Sequence, residues 1–433
     1  MRPGGIKWLA FGFVACAMLL LGFFLAREYL TGFVRYAEVE TPPTEIQIAR
    51  GEYLARLGNC AGCHTDRGGR AYAGGKAINT PFGAIFATNL TPDAATGIGS
   101  WDSRAFYRAM RYGRTPDGRF LYPAFPYQYF ANITREDSDA LFAFLRNRTQ
   151  AVEQVNRSHA VSFPFDSQFA LAVWRVFYFK PRAFKPDQNQ SAAWNRGAYL
   201  VQGLAHCGAC HSTRNALGAP VAGHAYDGAM MPGNDWYAPS LTAASEASVA
   251  NWSLAEIAAW LKDGATPKAS ALGPMAEVIF QSTQYANNAD LLAMATYLKA
   301  LPSVEPTRVS NAPAKLITQR KSDGAGAALY AKHCANCHGE NGEGKTDAFP
   351  ALAGNRAVTM ANATNIISII IKGGFAPATS GNPRPHGMPP YYHLLSDVDI
   401  AQLATHIRSS WGNAASVVTE LDLLKYRNGL RGP

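Results

Sequence analysis

This sequence of 433 residues has no run of lysine and arginine, so its formal charge of +9 gathers into no nucleic-acid-binding stripe. It has no glycine-rich nucleotide fingerprint placed after a strand, no nucleophile with a matched base and no second metal cluster. Catalysis by the chain itself is left without support. Cysteine is scarce: there are seven, and six fall in one short pattern, so none remains to pair as a structural disulfide. With 48% hydrophobic and 11% aromatic residues the composition is that of an ordinary globular protein, and the length suits about three domains.

The six cysteines lie in Cys60-Ala61-Gly62-Cys63-His64, Cys207-Gly208-Ala209-Cys210-His211 and Cys334-Ala335-Asn336-Cys337-His338. Cys-x-x-Cys-His is the attachment signature of c-type haem: two thiols one helical turn apart bond one porphyrin, and the next histidine binds iron. A zinc ribbon or a redox dithiol is the competing reading. Random placement of seven Cys and ten His would give roughly 0.003 matches, against three found. Three covalent haem c groups are therefore expected, on Cys60 and Cys63, Cys207 and Cys210, and Cys334 and Cys337, with His64, His211 and His338 as proximal ligands. Their propionates would bring the net charge down to about +3, which again argues against nucleic acid as a partner.

The seventh cysteine, Cys16, lies in an apolar run from Trp8 to Ala26. At 1.5 Å per residue this run reaches about 28 Å, close to the hydrocarbon thickness of a bilayer. Arg2 and Lys7 precede it, which places the amino terminus in the cytoplasm. A cleaved signal peptide needs a shorter apolar core and a small-x-small site, which Phe23-Phe24-Leu25-Ala26-Arg27-Glu28 does not offer. A lipoprotein site at Cys16 would leave apolar sequence behind it. The expectation is an uncleaved single-pass anchor in the inner membrane, with the haem domains in the periplasm, where covalent haem attachment takes place.

A similar lead-in precedes each motif: Arg50-Gly51-Glu52-Tyr53-Leu54-Ala55, Arg196-Gly197-Ala198-Tyr199-Leu200-Val201 and Gly326-Ala327-Ala328-Leu329-Tyr330. These read as opening helices. Closing helices are predicted from Thr134 to Arg148, Asn287 to Leu301 and Ser396 to Ser410, where Leu141, Phe144 and Leu145, then Leu291, Tyr297 and Leu298, then Leu403 and Ile407 recur at helical spacing. Thr134 and Ser396 suit N-caps. Between these helices, Leu90 and Trp101 repeat the spacing of Leu241 and Trp252, and Trp101 to Gly113 that of Trp252 to Gly264. The fold class is all-α: three tandem class I cytochrome c domains behind one N-terminal transmembrane helix. The boundaries are an anchor and juxtamembrane segment over 1–40, domains at 41–150, 191–303 and 322–413, a connector at 151–190, a linker at 304–321 and a tail at 414–433. The connector is aromatic, with Phe163, Phe165, Phe169, Trp174, Phe177, Tyr178 and Phe179. It reads either as a helix packed between domains or as a surface touching the bilayer or a quinone.

An electron-transfer haem commonly takes a methionine thioether opposite histidine, which raises its potential. Met388 in His386-Gly387-Met388-Pro389-Pro390 and Met275 in Gly273-Pro274-Met275 stand in Gly/Pro loops before the closing helices and are the expected distal ligands. Met294, on a closing helix, reads as core. The first repeat has no methionine in the matching Leu121-Tyr122-Pro123-Ala124-Phe125-Pro126-Tyr127. Its one methionine, Met110, has Leu261 as its counterpart; it either reaches iron from its helix or merely packs there, leaving iron an open site. Backbone carbonyls commonly orient the second nitrogen of a ligating histidine. Pro350 and Pro239 are placed to do so, and Thr88 holds that position in the first repeat.

These residues resemble the triheme, membrane-bound cytochrome c subunit of bacterial periplasmic dehydrogenases for alcohols, aldehydes, gluconate and related sugars. The resemblance runs from about residue 46 to 413. It rests on Asn89-Leu90-Thr91-Pro92-Asp93 with Thr96-Gly97-Ile98-Gly99, Trp194-Asn195-Arg196-Gly197-Ala198-Tyr199-Leu200, Trp236-Tyr237-Ala238-Pro239-Ser240-Leu241 and Phe349-Pro350-Ala351-Leu352-Ala353-Gly354-Asn355. It implies a subunit that takes electrons from a molybdenum-, PQQ- or flavin-dependent catalytic subunit, sometimes with a small third subunit, and passes them to ubiquinone or another cytochrome. Alcohol dehydrogenase members have Met where this chain has Phe125, and tend to have a cleaved leader and a longer carboxyl-terminal tail. Phe there with Met on the preceding helix looks like the forms that accompany molybdenum-type aldehyde or N-heterocycle dehydrogenases. Two competing readings are a membrane-bound cytochrome feeding a terminal oxidase and a haem peroxidase with an open first haem. The second would need an acid/base group near Met110 or Phe125, where none is evident.

Overall fold

The three helices predicted to close the repeats each begin at a residue whose side chain caps them. Thr134, Asn287 and Ser396 stand in extended backbone and accept from the N–H of Asp137, Asp290 and Asp399 respectively. Such a cap satisfies a donor that the first turn leaves open and contributes about 1 kcal/mol. The closing helices that follow are Arg135–Asn147, Asn288–Lys299 and Asp397–Ser409. Leu141, Leu145, Leu291, Leu403 and Ile407 are buried along them, as the apolar spacing predicts, and Met294 is core.

An opening helix crosses each closing helix at a glycine. A Cβ on Gly51, in Glu45–Leu57, would lie 1.8 Å from the carbonyl oxygen of Ala140. On Gly197, in Ala192–Tyr199, it would lie 1.9 Å from that of Ala293. On Gly326, in Gly324–His333, it would lie 2.5 Å from that of Gln402. All three carbonyls sit six residues past the N-cap, so the crossings are built alike. In the first two, the arginine before the glycine pairs with the acid of the capped turn. Arg50 Nε donates to Asp137 at 2.7 Å, and Arg196 is bidentate on Asp290 at 2.8 Å.

A computed structural model describes residues 18–19, 22–23, 25–26, 42–233, 235–266, 268–303, 324–345 and 348–430. The anchor expected over Trp8–Ala26 and the linker expected over 304–321 lie largely or wholly outside them. Among the described residues no helix is long and apolar enough to cross a membrane. The chain divides into two compact units, Met1–Leu54 with Cys63–Lys185, and Ala55–Gly62 with Pro186–Pro433.

In the first unit the Arg135–Asn147 helix packs on Ser103–Tyr112, which Asp102 caps and Gly113 ends in left-handed backbone at φ 57°. A small antiparallel sheet, Ala77–Thr80, Gly83–Phe86 and Ala160–Val161, departs from the all-α expectation. Its middle strand starts at Gly83, whose Cβ would meet the Ala160 carbonyl of the third strand at 2.0 Å. The aromatic connector forms the helix Gln168–Tyr178, capped by Ser167, which buries Leu171, Ala172 and Arg175.

The second unit holds the other two crossed pairs. Its helix Leu254–Asp263 starts with a capping box between Ser253 and Glu256, and Thr364–Lys372 buries a run of isoleucines. Asn365 exchanges two 2.9 Å hydrogen bonds with the Tyr237 backbone, and Lys372 pairs with Asp235 at 2.8 Å, tying the two helix pairs together. The segment read as a tail is helical over Glu420–Leu430 and buries Leu423 and Tyr426 against Ile400 and Ile407. Further two-residue ladders occur at Ala229–Met230 with Tyr237–Ala238, Ala265–Thr266 with Ala269–Ser270, and Gly374–Phe375 with Gly387–Met388.

Candidate haem sites

Each Cys-x-x-Cys-His pattern folds as one helical turn, so that its thiols share a side and its histidine follows them. The turns are Cys60–His64, Gly208–His211 and Ala335–His338. The chain enters the first two through left-handed residues, Asn59 at φ 53° and His206 at φ 38°. In the third the turn continues from the opening helix, with Cys334 N–H donating to Tyr330 O at 2.8 Å. None of the six cysteines is in a disulfide. Burial, then the neighbouring thiol, pushes Cys207 up to about 12 and Cys334 up to about 11.

The three imidazoles are held alike. Nδ1 lies 2.7 Å from Thr88 O in His64, 2.7 Å from Pro239 O in His211 and 2.9 Å from Pro350 O in His338. A carbonyl only accepts, so Nδ1 carries the proton and Nε2 keeps its lone pair for a metal. Loss of water on burial lowers all three pKa values, against the carbonyl's opposing pull, which favours the neutral, ligating ring. Two free thiols beside a neutral imidazole with a fixed tautomer fit covalent haem, and no group of three or more His, Cys, Asp or Glu among the described residues suggests another metal centre.

Thr88 serves as well as the two prolines because the acceptor is backbone. Reasoning from the sequence missed the glycines that bring these carbonyls in. Gly74, Gly228 and Gly344 have φ of 80°, 81° and 72°, and each donates its N–H to the carbonyl of the motif histidine at 2.8 Å. A Cβ would strike the acceptor segment, at Thr88 C 2.5 Å, Ser240 N 2.8 Å and Ala351 N 2.6 Å respectively. Their offsets from the histidines are unequal, so no spacing rule exposes them.

The candidate distal residues follow glycine-ended helices. Gly113, Gly264 and Gly373 end Ser103–Tyr112, Leu254–Asp263 and Thr364–Lys372. Gly113 O accepts from Leu121 N–H at 2.8 Å and Gly264 O from Ala271 N–H at 2.6 Å. Four residues beyond these stand Phe125 and Met275, so Phe125 holds the register position of Met275. Met275 is not in a loop as expected but in the first turn of the helix Gly273–Gln281, which Pro274 starts and the Trp236 ring against Gly273 seats. Met388 lies in the strand Gly387–Met388, and a Cβ on Gly373 would meet its carbonyl at 2.4 Å. Met110 is buried with Phe106 and Ala109 three residues before Gly113, where the other repeats bury Leu261 and Ile370. Phe125 stacks on Phe130 with ring centroids 5.3 Å apart.

The family model for cytochrome c matches residues 48–149 and 324–411. The chain is 37% identical to the cytochrome c subunit of the quinone alcohol dehydrogenase of Gluconacetobacter polyoxogenes, over 90% of this chain and 86% of that one. It is 34% identical to the gluconate 2-dehydrogenase cytochrome c subunit of Pantoea cypripedii, over 88% and 89%. It is also 39% identical to a nicotinate dehydrogenase subunit of Pseudomonas putida, over 85% of this chain and 31% of that protein.

Proposed function

The chain belongs to the family of cytochrome c subunits of dehydrogenase complexes, and on that footing we propose that it carries three covalent haems and passes electrons from a catalytic subunit to ubiquinone or another cytochrome. It is an electron-transfer subunit, and catalysis belongs to its partner. Haem supplies reversible one-electron chemistry at iron. The residues supply attachment at Cys60 and Cys63, Cys207 and Cys210, and Cys334 and Cys337, proximal ligation from Nε2 of His64, His211 and His338, and distal thioethers from Met275 and Met388. The reading includes three cytochrome domains at 41–150, 191–303 and 322–413. It also includes an inner-membrane anchor at Trp8–Ala26 that holds them in the periplasm. The relative named for nicotinate, an N-heterocycle, favours a molybdenum-type partner.

The observation that carries this reading is the threefold recurrence of one arrangement: a thiol turn, a histidine tied to a backbone carbonyl, and a glycine that brings the carbonyl in. Its test is stoichiometry. The intact protein should weigh more than its polypeptide by three haem masses, and Ser at both Cys334 and Cys337 should remove one third of the haem. Two haems in the intact protein, or loss of all haem in that variant, would defeat the proposal of three independent sites. A second reading, a peroxidase, is favoured by Phe125 in the register position of Met275. It requires an open first iron, and Met110 decides it.

A further inference from the structure

The connector helix Gln168–Tyr178 is apolar on both sides, though one side faces outward. Leu171 and Ala172 pack inward on Phe120, and the only buried charge on the helix, Arg175, turns inward with them. On the outer side Phe169 and Phe177 are each 63% exposed, with Tyr178 at 38% and, just before the helix, Phe163 at 84%. Phe169, Val173 and Phe177 are spaced to form one stripe. A helix that is hydrophobic all round needs a cover on every side.

Two observations identify the cover. Leu25, next to last in the apolar run Trp8–Ala26, packs against the Phe120–Leu171 cluster on the inner side of this helix. The helix therefore lies where that run would leave the bilayer. Lys180, Arg182 and Lys185, all exposed, follow it before the next acid at Asp187. Cations beside exposed aromatic rings suit anionic headgroups over acyl chains. A quinone would need a concave site, and a protruding row of rings does not form one.

We propose that this helix lies in the membrane interface, with Phe163, Phe169 and Phe177 among acyl chains and Lys180, Arg182 and Lys185 on anionic headgroups. The inference rests on the reading of residues 8–26 as a membrane anchor. It gives the subunit a second, in-plane hold on the bilayer, which orients its first compact unit and limits rotation about the anchor.

The test uses the full-length haem-loaded protein in phosphatidylcholine/phosphatidylglycerol vesicles that carry a photoreactive acyl chain, with labelled peptides mapped after illumination. Label is expected in 163–178 as well as in 8–26. Phe163→Ser, Phe169→Ser and Phe177→Ser together should lower label in 163–178 at least about tenfold, with haem absorbance and label in 8–26 kept. Lys180→Glu, Arg182→Glu and Lys185→Glu together, all at exposed positions, should abolish the dependence of that label on phosphatidylglycerol. Label confined to 8–26 overturns the inference and leaves the anchor standing. Label in neither segment overturns both. Labelling of 163–178 by an azidoquinone, competed by quinone, overturns it in favour of a quinone site.

Discussion

Gly228→Ala tests whether the glycine that brings in the acceptor carbonyl sets a haem potential. Gly228 has φ 81°, and its added methyl would stand 2.5 Å from Tyr237 Oη, 2.8 Å from Ser240 N and 3.1 Å from Ala238 O. Relief of those contacts must move the 237–240 segment by roughly half an ångström to one ångström. The 2.7 Å bond from His211 Nδ1 to Pro239 O would then lengthen to about 3.2–3.7 Å, from the limit of ordinary hydrogen-bonding range to beyond it. A bond of this kind is worth about 1 kcal/mol net; only the part that differs between ferric and ferrous haem moves the potential, so for a one-electron couple the ceiling is about 40 mV. The shift is upward, because an imidazole that no longer donates at Nδ1 is a poorer electron donor to ferric iron. Gly223→Ala is the matched control: its φ is also 81°, but nothing lies within 4 Å of the new methyl. Both variants incur about 1–2 kcal/mol of left-handed backbone strain, and Gly228→Ala loses about 1–3 kcal/mol more from overpacking. In a spectroelectrochemical titration, one third of the haem should shift up, by at most about 40 mV, in Gly228→Ala and none in Gly223→Ala. Equal titrations for the two, or movement of all three haems in either, would refute the role given to this glycine.

Met110→Ala should turn one haem in three high-spin if the thioether reaches iron; if Met110 only packs, spin state is unchanged and stability falls by about 2–5 kcal/mol. A wild-type protein already one-third high-spin and insensitive to Met110→Ala would revive the peroxidase reading. Gly197→Ala should lower the unfolding free energy, measured in denaturant titrations, by about 3 kcal/mol, since its methyl would meet Ala293 O at 1.9 Å, whereas Gly324→Ala, with open space around it, should be neutral or slightly stabilising. Glu246 is held above the usual carboxylate range by burial, despite hydrogen bonds from Ser240 N–H and Tyr237 Oη–H. With its folded pKa above the unfolded value, its contribution is fully present below the ordinary carboxylate pKa and is lost as pH rises through the folded pKa. Glu246→Gln should therefore gain stability relative to the parent as pH rises from about 4 to 7, in denaturant titrations. A parallel pair of pH curves would show that the carboxylate carries no such charge penalty.

Some elements were legible because their code is local. Thr134 and Ser396 cap helices whatever those helices pack against, and the Leu141–Leu145 and Leu403–Ile407 spacings mark the buried face before any partner is known. Other elements were not, because they depend on contact between distant segments. Met275 sits in a Gly/Pro stretch that reads as loop, yet Pro274 starts a helix there once Trp236 closes on Gly273. The 414–433 segment reads as a tail until Leu423 and Tyr426 meet the Asp397–Ser409 helix.

The sequence alone determined the three thiol turns and their histidines, since attachment chemistry dictates a spacing within five residues, and it determined the repeat of opening and closing helices through their lead-ins and apolar spacing; that the helices cross at glycines was decided by the fold. Tertiary structure decided which atom orients each histidine. Thr88, Pro239 and Pro350 share no side chain, only a backbone carbonyl at 2.7–2.9 Å. A carbonyl is present on every residue, so it leaves no mark in the sequence until the fold chooses one. The repeat and the family resemblance already pointed to Phe125 as the counterpart of Met275; tertiary structure supplied the register, pairing Leu121 with Gly113 and Ala271 with Gly264. That register depends on hydrogen bonds across a turn, which residue identity does not encode.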